Sequence, residues 1–350
     1  MKSTKQSAVT AQDVADLAGV SRAAVSRTFT KNGSVSTETR EKVEKAAAQL
    51  GYQINFLAQG LNRKRSMLIG VVVARLSDPF RSQLLEGLLN EIQARGYQAL
   101  VTEVGNAEEL EATIRRFTQF RVSGVIVTSG QPPIDLIKEC IHFNIPVVGI
   151  NRYAAIPNVD FVCSDNVTGA KLAAQQLIKS GCKSIGWLNY QYSTWGGITR
   201  GEAFSQVLQA TEPWCYQQLV TICAQEDGYE GGRKAAHEMH KNGLKVDGIY
   251  CANALLACGF LDGMREHGMD APNDFHIIGF DDTPQTAQYS YRLSTIRQDV
   301  IETAKRALWC LESRAQDASL LQRLEVVPVS LVLRNTSPES SYSVTQLKDK

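Results

Sequence analysis

Long hydrophobic runs are missing from this sequence. No stretch of its 350 residues stays apolar over the roughly 20 positions a membrane-spanning helix needs. The opening MKSTKQSAVTAQD has no apolar leader core. The expectation is a cytoplasmic chain with no export signal and no membrane contact. Closely spaced cysteines are missing too. The eight (Cys140, Cys163, Cys182, Cys215, Cys223, Cys251, Cys258 and Cys310) form no CxxC pair, which leaves reduced packing thiols. Histidine is scarce. His237 and His240 lie three apart, so HEMH is not the HExxH zinc helix, and His142, His267 and His276 are scattered. No GxGxxG follows the first strand, and there is no Walker A or nucleophile elbow. These gaps argue against an enzyme, and no metal or cofactor is expected.

A large net charge is also lacking, but the +1 total is unevenly spread. Residues 1–65 carry eleven Lys/Arg against five Asp/Glu, a net +6, which leaves −5 for the rest. A basic head on an acidic body suits a chain whose one end meets a polyanion. A solvated surface face would give the same count.

The basic head reads as three short helices. Thr10 and Asp13 have capping-box spacing, and Val14, Leu17 and Ala18 fall on one face. Gly19 supplies a tight turn, and Ser21 caps a second helix over 22–29 with Ala24 and Val25 turned inward. Ser36 opens a third helix whose apolar face is Val43, Ala46, Ala47 and Leu50, and Gly51 ends it. This is the pattern of a helix-turn-helix. Arg22, Ala23, Ser26 and Arg27 face away from the core of the second helix. A guanidinium there can bond guanine O6 and N7 together in the major groove. Thr10, Ser21, Thr30, Ser36 and Thr39 lie at helix ends, where hydroxyls and free N–H groups meet phosphate. Taken singly, each is an ordinary cap.

The stretch VTAQDVADLAGVSRAAVSRTFTKNGSVSTETREKVEKAAAQLGY resembles the DNA-binding headpiece of the LacI/GalR family. It carries DVA, AGVS, VSR, VS-x-x-TR and LGY in order. The likeness runs on through NFLAQGLNRKRSMLIGVVV and, more loosely, along the whole chain. Thr28-Phe29-Thr30 departs from the commoner end of the recognition helix, and Arg22-Ala23 leaves the operator sequence open. Residues 55–61 could form only two helical turns, and Gly60 costs about 1 kcal/mol there. The resemblance implies a hinge helix that orders on DNA, beginning at Asn55, approaching its twin at Ala58 and wedging Leu61 between base pairs. Arg63, Lys64 and Arg65 read equally as phosphate contacts or as a solvated spacer.

From Met67 short apolar strands alternate with helices in two series, 68–151 and 161–282, the pattern of parallel βαβ sheets. The resemblance implies a fold class: an all-α helix-turn-helix headpiece and hinge helix, then a two-lobed α/β periplasmic-binding-protein-like core with parallel sheets. The expected domains are a headpiece over 8–54, hinge and spacer over 55–66, a core over 67–336 and a tail over 337–350. Within the core the N-lobe takes 67–163 and 296–325, and the C-lobe 164–293 and 326–336.

Ligands of such sheets bind beyond the carboxyl ends of the strands. Strand ends here carry Asp78 and Phe80, Asn151 and Arg152, Asp227 to Tyr229, Asn253 and Asp281, with Arg200 beyond a following loop. Amides, carboxylates, guanidinium groups and aromatics suit a polyhydroxylated ligand. The resemblance implies effector contacts at Asp78, Phe80, Arg200 (in RGEAF), Tyr229, Asn253 and Asp281 (in GFDD). Local readings compete: Asn253 as a helix cap, Asp281 as a turn, Phe80 and Tyr229 as core. Ala254 replaces the family's usual aspartate. Arg152 adds a cation near Arg200, so a sugar acid or a nucleoside/purine stands beside a neutral sugar. The expected protein is a DNA-binding regulator, a homodimer on a pseudo-palindromic operator, controlled by a carbohydrate-like effector. An exported sugar receptor and an α/β enzyme with a helical appendage are the rival readings.

Overall fold

A computed structural model describes residues 9–29, 33–53, 66–128, 134–211 and 218–339. The chain divides into two compact units, Met1–Ser66 and Met67–Lys350. Thr30, Asn55, Ala58 and Leu61 lie outside the described residues.

In the first unit α1 (Ala11–Ala18), α2 (Arg22–Thr28) and α3 (Thr37–Leu50) follow one another. Thr10 closes a capping box with Asp13. Ser21 accepts from Ala24 N, and Ser36 from Thr39 N. Gly19 and Gly51 sit at φ 67° and 65°, conformations a β-carbon would strain. Val14, Ala15, Val25, Val43, Ala46 and Ala47 form the core. Leu17 does not join it and stays 47% exposed. Ala15 takes its place, because the buried stripe runs through 11, 14, 15 and 18, the i, i+3, i+4, i+7 positions.

The second unit holds two six-stranded sheets. The first series is β1 (Leu68–Val73), α4 (Pro79–Ala94), β2 (Gln98–Glu103), α5 (Ala107–Gln119), β3 (Gly124–Val127), α6 (Ile134–His142), β4 (Val147–Ile150) and β5 (Val159–Ser164). The second is α7 (Asn166–Lys179), β6 (Ser184–Tyr190), α8 (Trp195–Ala210), β7 (Gln218–Ala224), α9 (Tyr229–Lys241), β8 (Gly248–Cys251), α10 (Ala254–Arg265), β9 (His276–Asp281), α11 (Pro284–Ala287) and β10 (Ser294–Gln298). The chain then returns through α12 (Val300–Gln316) and β11 (Leu324–Val327) and ends in β12 (Val329–Val332). The N-lobe sheet has the order β11-β5-β4-β3-β1-β2, and the C-lobe sheet β12-β10-β9-β8-β6-β7. All pairings are parallel except β10 with β12.

These pairings move the expected lobe boundaries. Residues 296–298 finish β10 in the C-lobe sheet, and 326–327 finish β11 in the N-lobe sheet. The crossings are therefore at 298–300 and 327–329. The tail begins later than 337 as well. Ser294 Oγ and Ser337 are joined by hydrogen bonds, and Gln176 donates to Pro338 O. Arg200 lies inside α8 and not at its start, since Thr194 caps Gly197 N and the helix begins at Trp195. Gly196 and Gly197 disguise that start in the sequence.

Packing follows the strand burial. The apolar face of α12 lies with Ile126, Val148 and Val162 in one cluster. Its end is anchored at Asp160, whose carboxylate takes Arg314 Nη2 at 2.6 Å and Arg323 Nη2 at 2.7 Å. Burial alone would raise that carboxyl, but the two guanidinium groups outweigh it and hold it below the usual range. In the C-lobe Trp187, Phe204 and Tyr250 pack ring to ring. Gly201 makes this possible, because a β-carbon there would sit 2.6 Å from Trp187 Nε1. Burial pushes the thiols of Cys140, Cys163, Cys182, Cys258 and Cys310 up to about 12, in keeping with packing roles.

Candidate functional site

Two surfaces carry chemistry. On α2, Arg22, Ala23, Ser26 and Arg27 are all exposed, while Val25 and Thr28 are buried. The departure at Thr28 thus belongs to the core: its hydroxyl bonds Ala24 O, and its carbonyl accepts from Arg40 Nη1. Thr10, Ser21 and Ser36 act as helix caps, the plainer of the two readings open for them. Ser36 Oγ also donates to Thr39 Oγ1. Each cap accepts from one N–H of its helix's first turn, at an exposed helix end.

The second surface is a cavity of about 400 Å³ between the sheets of the core. Asp78, Phe80, Asn151, Arg152, Arg200, Asn253 and Asp281 all line it. Local folding fixes each. Asp78 caps α4 and accepts from Phe80 N, which sets the ring at the mouth of that helix. Asn151 follows β4 at φ 54°, its Oδ1 accepting from Ser164 N. Asn253 does cap α10, as one sequence reading held, and its Nδ2 also donates to Asp227 Oδ1 at 2.9 Å. Asp281 ends β9 at φ 92° and accepts from Ala254 N at 3.3 Å and Gln298 Nε2 at 2.6 Å. Arg200 sits one and a half turns into α8. It donates to Asn166 Oδ1 at 2.7 Å and Ala252 O at 2.6 Å, and lies 3.4 Å over the Phe280 ring.

Burial governs the charges here. Asp281 is 9% exposed, and its carboxyl is pushed up to about 6, with Arg200 opposing the rise. Arg200 is 8% exposed, and burial lowers it. Arg152 is lowered to about 10 for the same reason, and its Nε and Nη1 are buried without a partner. The cavity sets four cations, Arg75, Arg81, Arg152 and Arg200, against three carboxylates, Asp78, Asp227 and Asp281. A second cation beside Arg200 therefore does not by itself demand an acidic ligand.

One expected residue is elsewhere. Tyr229 does not line the cavity. Its hydroxyl donates to Asp262 Oδ2 at 2.8 Å, and Tyr291 donates to the same oxygen. It therefore ties α9 to α10. Arg75, Tyr190, Trp195 and Gln298 are cavity residues that sequence reading did not single out, and Asp227, read from its strand-end position, lines the cavity too. Gln298 ends β10 and could have been found by the strand-end rule. Arg75 pairs with Asp227 at 3.0 Å across the two lobes, and no spacing in the sequence announces that. His267 is not isolated: its Nε2 lies 2.8 Å from His237 Nδ1, and its ring stacks on His240. Among the described residues, no group of three such side chains is arranged to hold a metal ion. None of their helices is long and apolar enough to cross a membrane.

A helical unit with an exposed arginine-bearing helix, joined in one chain to a two-lobed α/β unit with a polar inter-lobe cavity, defines a ligand-binding DNA regulator. Known proteins agree. Residues 10–55 match the family described as bacterial regulatory proteins, lacI family. Residues 66–289 match the periplasmic binding proteins and sugar binding domain of LacI family. The chain belongs to the LacI family. The ribose operon repressor of Bacillus subtilis is 31% identical over 332 residues, 94% of this chain and 98% of that protein. The regulator GalS of Salmonella typhimurium is 31% identical over 308 residues, covering 85% and 88%. The lac repressor dimer bound to operator and the anti-inducer ONPF is similar with a TM-score of 0.84 at 27% identity, covering 95% and 100%.

Proposed function

We propose that this chain is a homodimeric transcriptional repressor whose hold on a pseudo-palindromic operator is set by a small neutral sugar of the ribose type. The carrying observation is the inter-lobe cavity, in which Asn151, Arg152, Arg200, Asn253 and Asp281 converge with Phe80. Fixed amides, carboxylate and guanidinium groups bond adjacent hydroxyls pairwise, and an aromatic face covers the C–H side of a ring. The ribose repressors among its relatives support the pentose. The mixed charge of the cavity supports a neutral ligand over a sugar acid. Arg22, Ala23, Ser26 and Arg27 read the major groove, and the caps at Thr10, Ser21 and Ser36, with Thr30 and Thr39, meet phosphate. Asn55, Ala58 and Leu61 form the hinge helix that bends the operator. The role is binding, not turnover. The test is a titration of operator-bound protein with D-ribose, D-galactose, D-gluconate and adenosine, followed by fluorescence anisotropy. Release by ribose alone is expected, and a response only to gluconate or adenosine overturns the neutral-sugar reading.

A further inference from the structure

Beside the polar cavity lies a second, smaller one of about 160 Å³ inside the N-lobe. Its walls are aliphatic and aromatic: Val127, Ile137, Val147, Ile156, Val159 and Phe161, all but one of them from strands or helices of that lobe. Two residues belong to both cavities, Arg152 and Trp195. Trp195 comes from the C-lobe at the first position of α8, yet packs against the N-lobe core. Gly149 keeps the space open. A β-carbon there would stand 2.8 Å from the Phe161 ring and 3.0 Å from Arg152 Cδ.

The junction is what gives this chamber a role. Arg152 Nε and Nη1 are buried there without a partner. A buried donor left unpaired is costly, so the site is completed by an acceptor from outside the chain. On one side of that acceptor the cavity is polar, and on the other most of the lining side chains are apolar. We infer that the effector is a sugar conjugate, its ring in the polar cavity, a linking oxygen on Arg152, and a compact apolar group, aryl-sized, in the side chamber. The volume agrees, since an apolar cavity of roughly 150 Å³ accommodates benzene. The inference rests on the sugar reading above and narrows it.

Calorimetry on the full chain tests it with D-ribose, methyl β-D-ribofuranoside and phenyl β-D-ribofuranoside. The phenyl glycoside should bind at least about tenfold tighter than the methyl glycoside, about 1.4 kcal/mol. Ile137→Phe fills the chamber and should erase that difference while leaving the methyl glycoside unchanged. Val147→Phe, at another lining residue, serves the same purpose if the first variant does not fold. Equal affinity of the two glycosides, or exclusion of the phenyl compound, overturns the inference. The chamber is also probed without any sugar by 4-fluorophenol in fluorine NMR. Broadening that Ile137→Phe abolishes supports an aryl subsite, and no broadening overturns it. Failure of all three ribosides with a positive fluorophenol result instead refutes the ribose reading and retains the chamber.

Discussion

Replacing Asp281 by asparagine isolates one buried charge. The carboxyl is pushed from 3.8 to about 6 by burial, although Arg200 lies near and Ala254 N and Gln298 Nε2 donate to it. At about 1.4 kcal/mol per pH unit, ionising this group in the fold costs about 3 kcal/mol. The sign follows from proton binding. Between about pH 4 and pH 6 the folded chain holds the proton and the unfolded chain has lost it, so stability falls as pH rises through that window and levels off above it. Asp281→Asn removes the charge but turns one donor toward Gln298 Nε2, a mismatch of about 1 kcal/mol. At pH 7.5 the variant should therefore be about 2 kcal/mol more stable. Urea unfolding of the two proteins at pH 7.5, 6 and 4.5 measures the gap, which should shrink as the pH falls. A gap that does not change with pH, or a variant less stable at pH 7.5, refutes the assignment of a strained carboxylate. The same variant should bind effector at least about tenfold more weakly, since the carboxylate is the stronger acceptor for sugar hydroxyls.

Arg200→Lys keeps the charge but cannot reach Asn166 Oδ1 and Ala252 O together. Effector affinity by calorimetry should fall about tenfold or more with operator binding intact. Arg22→Ala or Arg27→Ala should weaken operator binding by about 1–3 kcal/mol while sparing random DNA; equal losses on both in anisotropy would make them phosphate contacts. Leu61→Ala should reduce operator bending, read by gel mobility of circularly permuted fragments, with effector affinity unchanged; undiminished bending removes the wedge role. Gln298→Leu should leave operator and effector affinities measurable but shrink the effect of one on the other.

Much of this was legible because the signals are local. The caps at Thr10, Ser21 and Ser36 and the glycine ends at Gly19 and Gly51 are short-range chemistry, and the helices form where they point. Asn253 and Asp281 were legible because parallel strands deliver their last residues to one side of a sheet, and Arg200 through the resemblance carried by RGEAF. Tyr229 shows where that reasoning stops. It follows a strand-end loop, but its side-chain direction depends on Asp262, 33 residues away. The Arg75–Asp227 pair and the meeting of His267 with His237 are equally products of tertiary packing. The side chamber is a void inside the N-lobe core, and no residue pattern encodes a void.

The crossings explain how a ligand could reach the rest of the molecule. The chain passes between sheets at Ser164–Asn166, Gln298–Val300 and Val327–Val329. Asp165 N donates to Val327 O at 2.8 Å, which holds two of the crossings together. Ser164 Oγ donates to Gln298 Oε1, Gln298 Nε2 donates to Asp281 Oδ1, and Ser164 N donates to Asn151 Oδ1. The residues at the ends of this network, Asn151 and Asp281, line the effector cavity. An effector hydroxyl on either one competes for lone pairs that also position the crossings. Effector binding would thus draw on the same hydrogen bonds that hold the crossings, and an effector that fits one lobe arrangement better shifts the population toward it. No path through either lobe's core is needed, because the site and the pivot share residues.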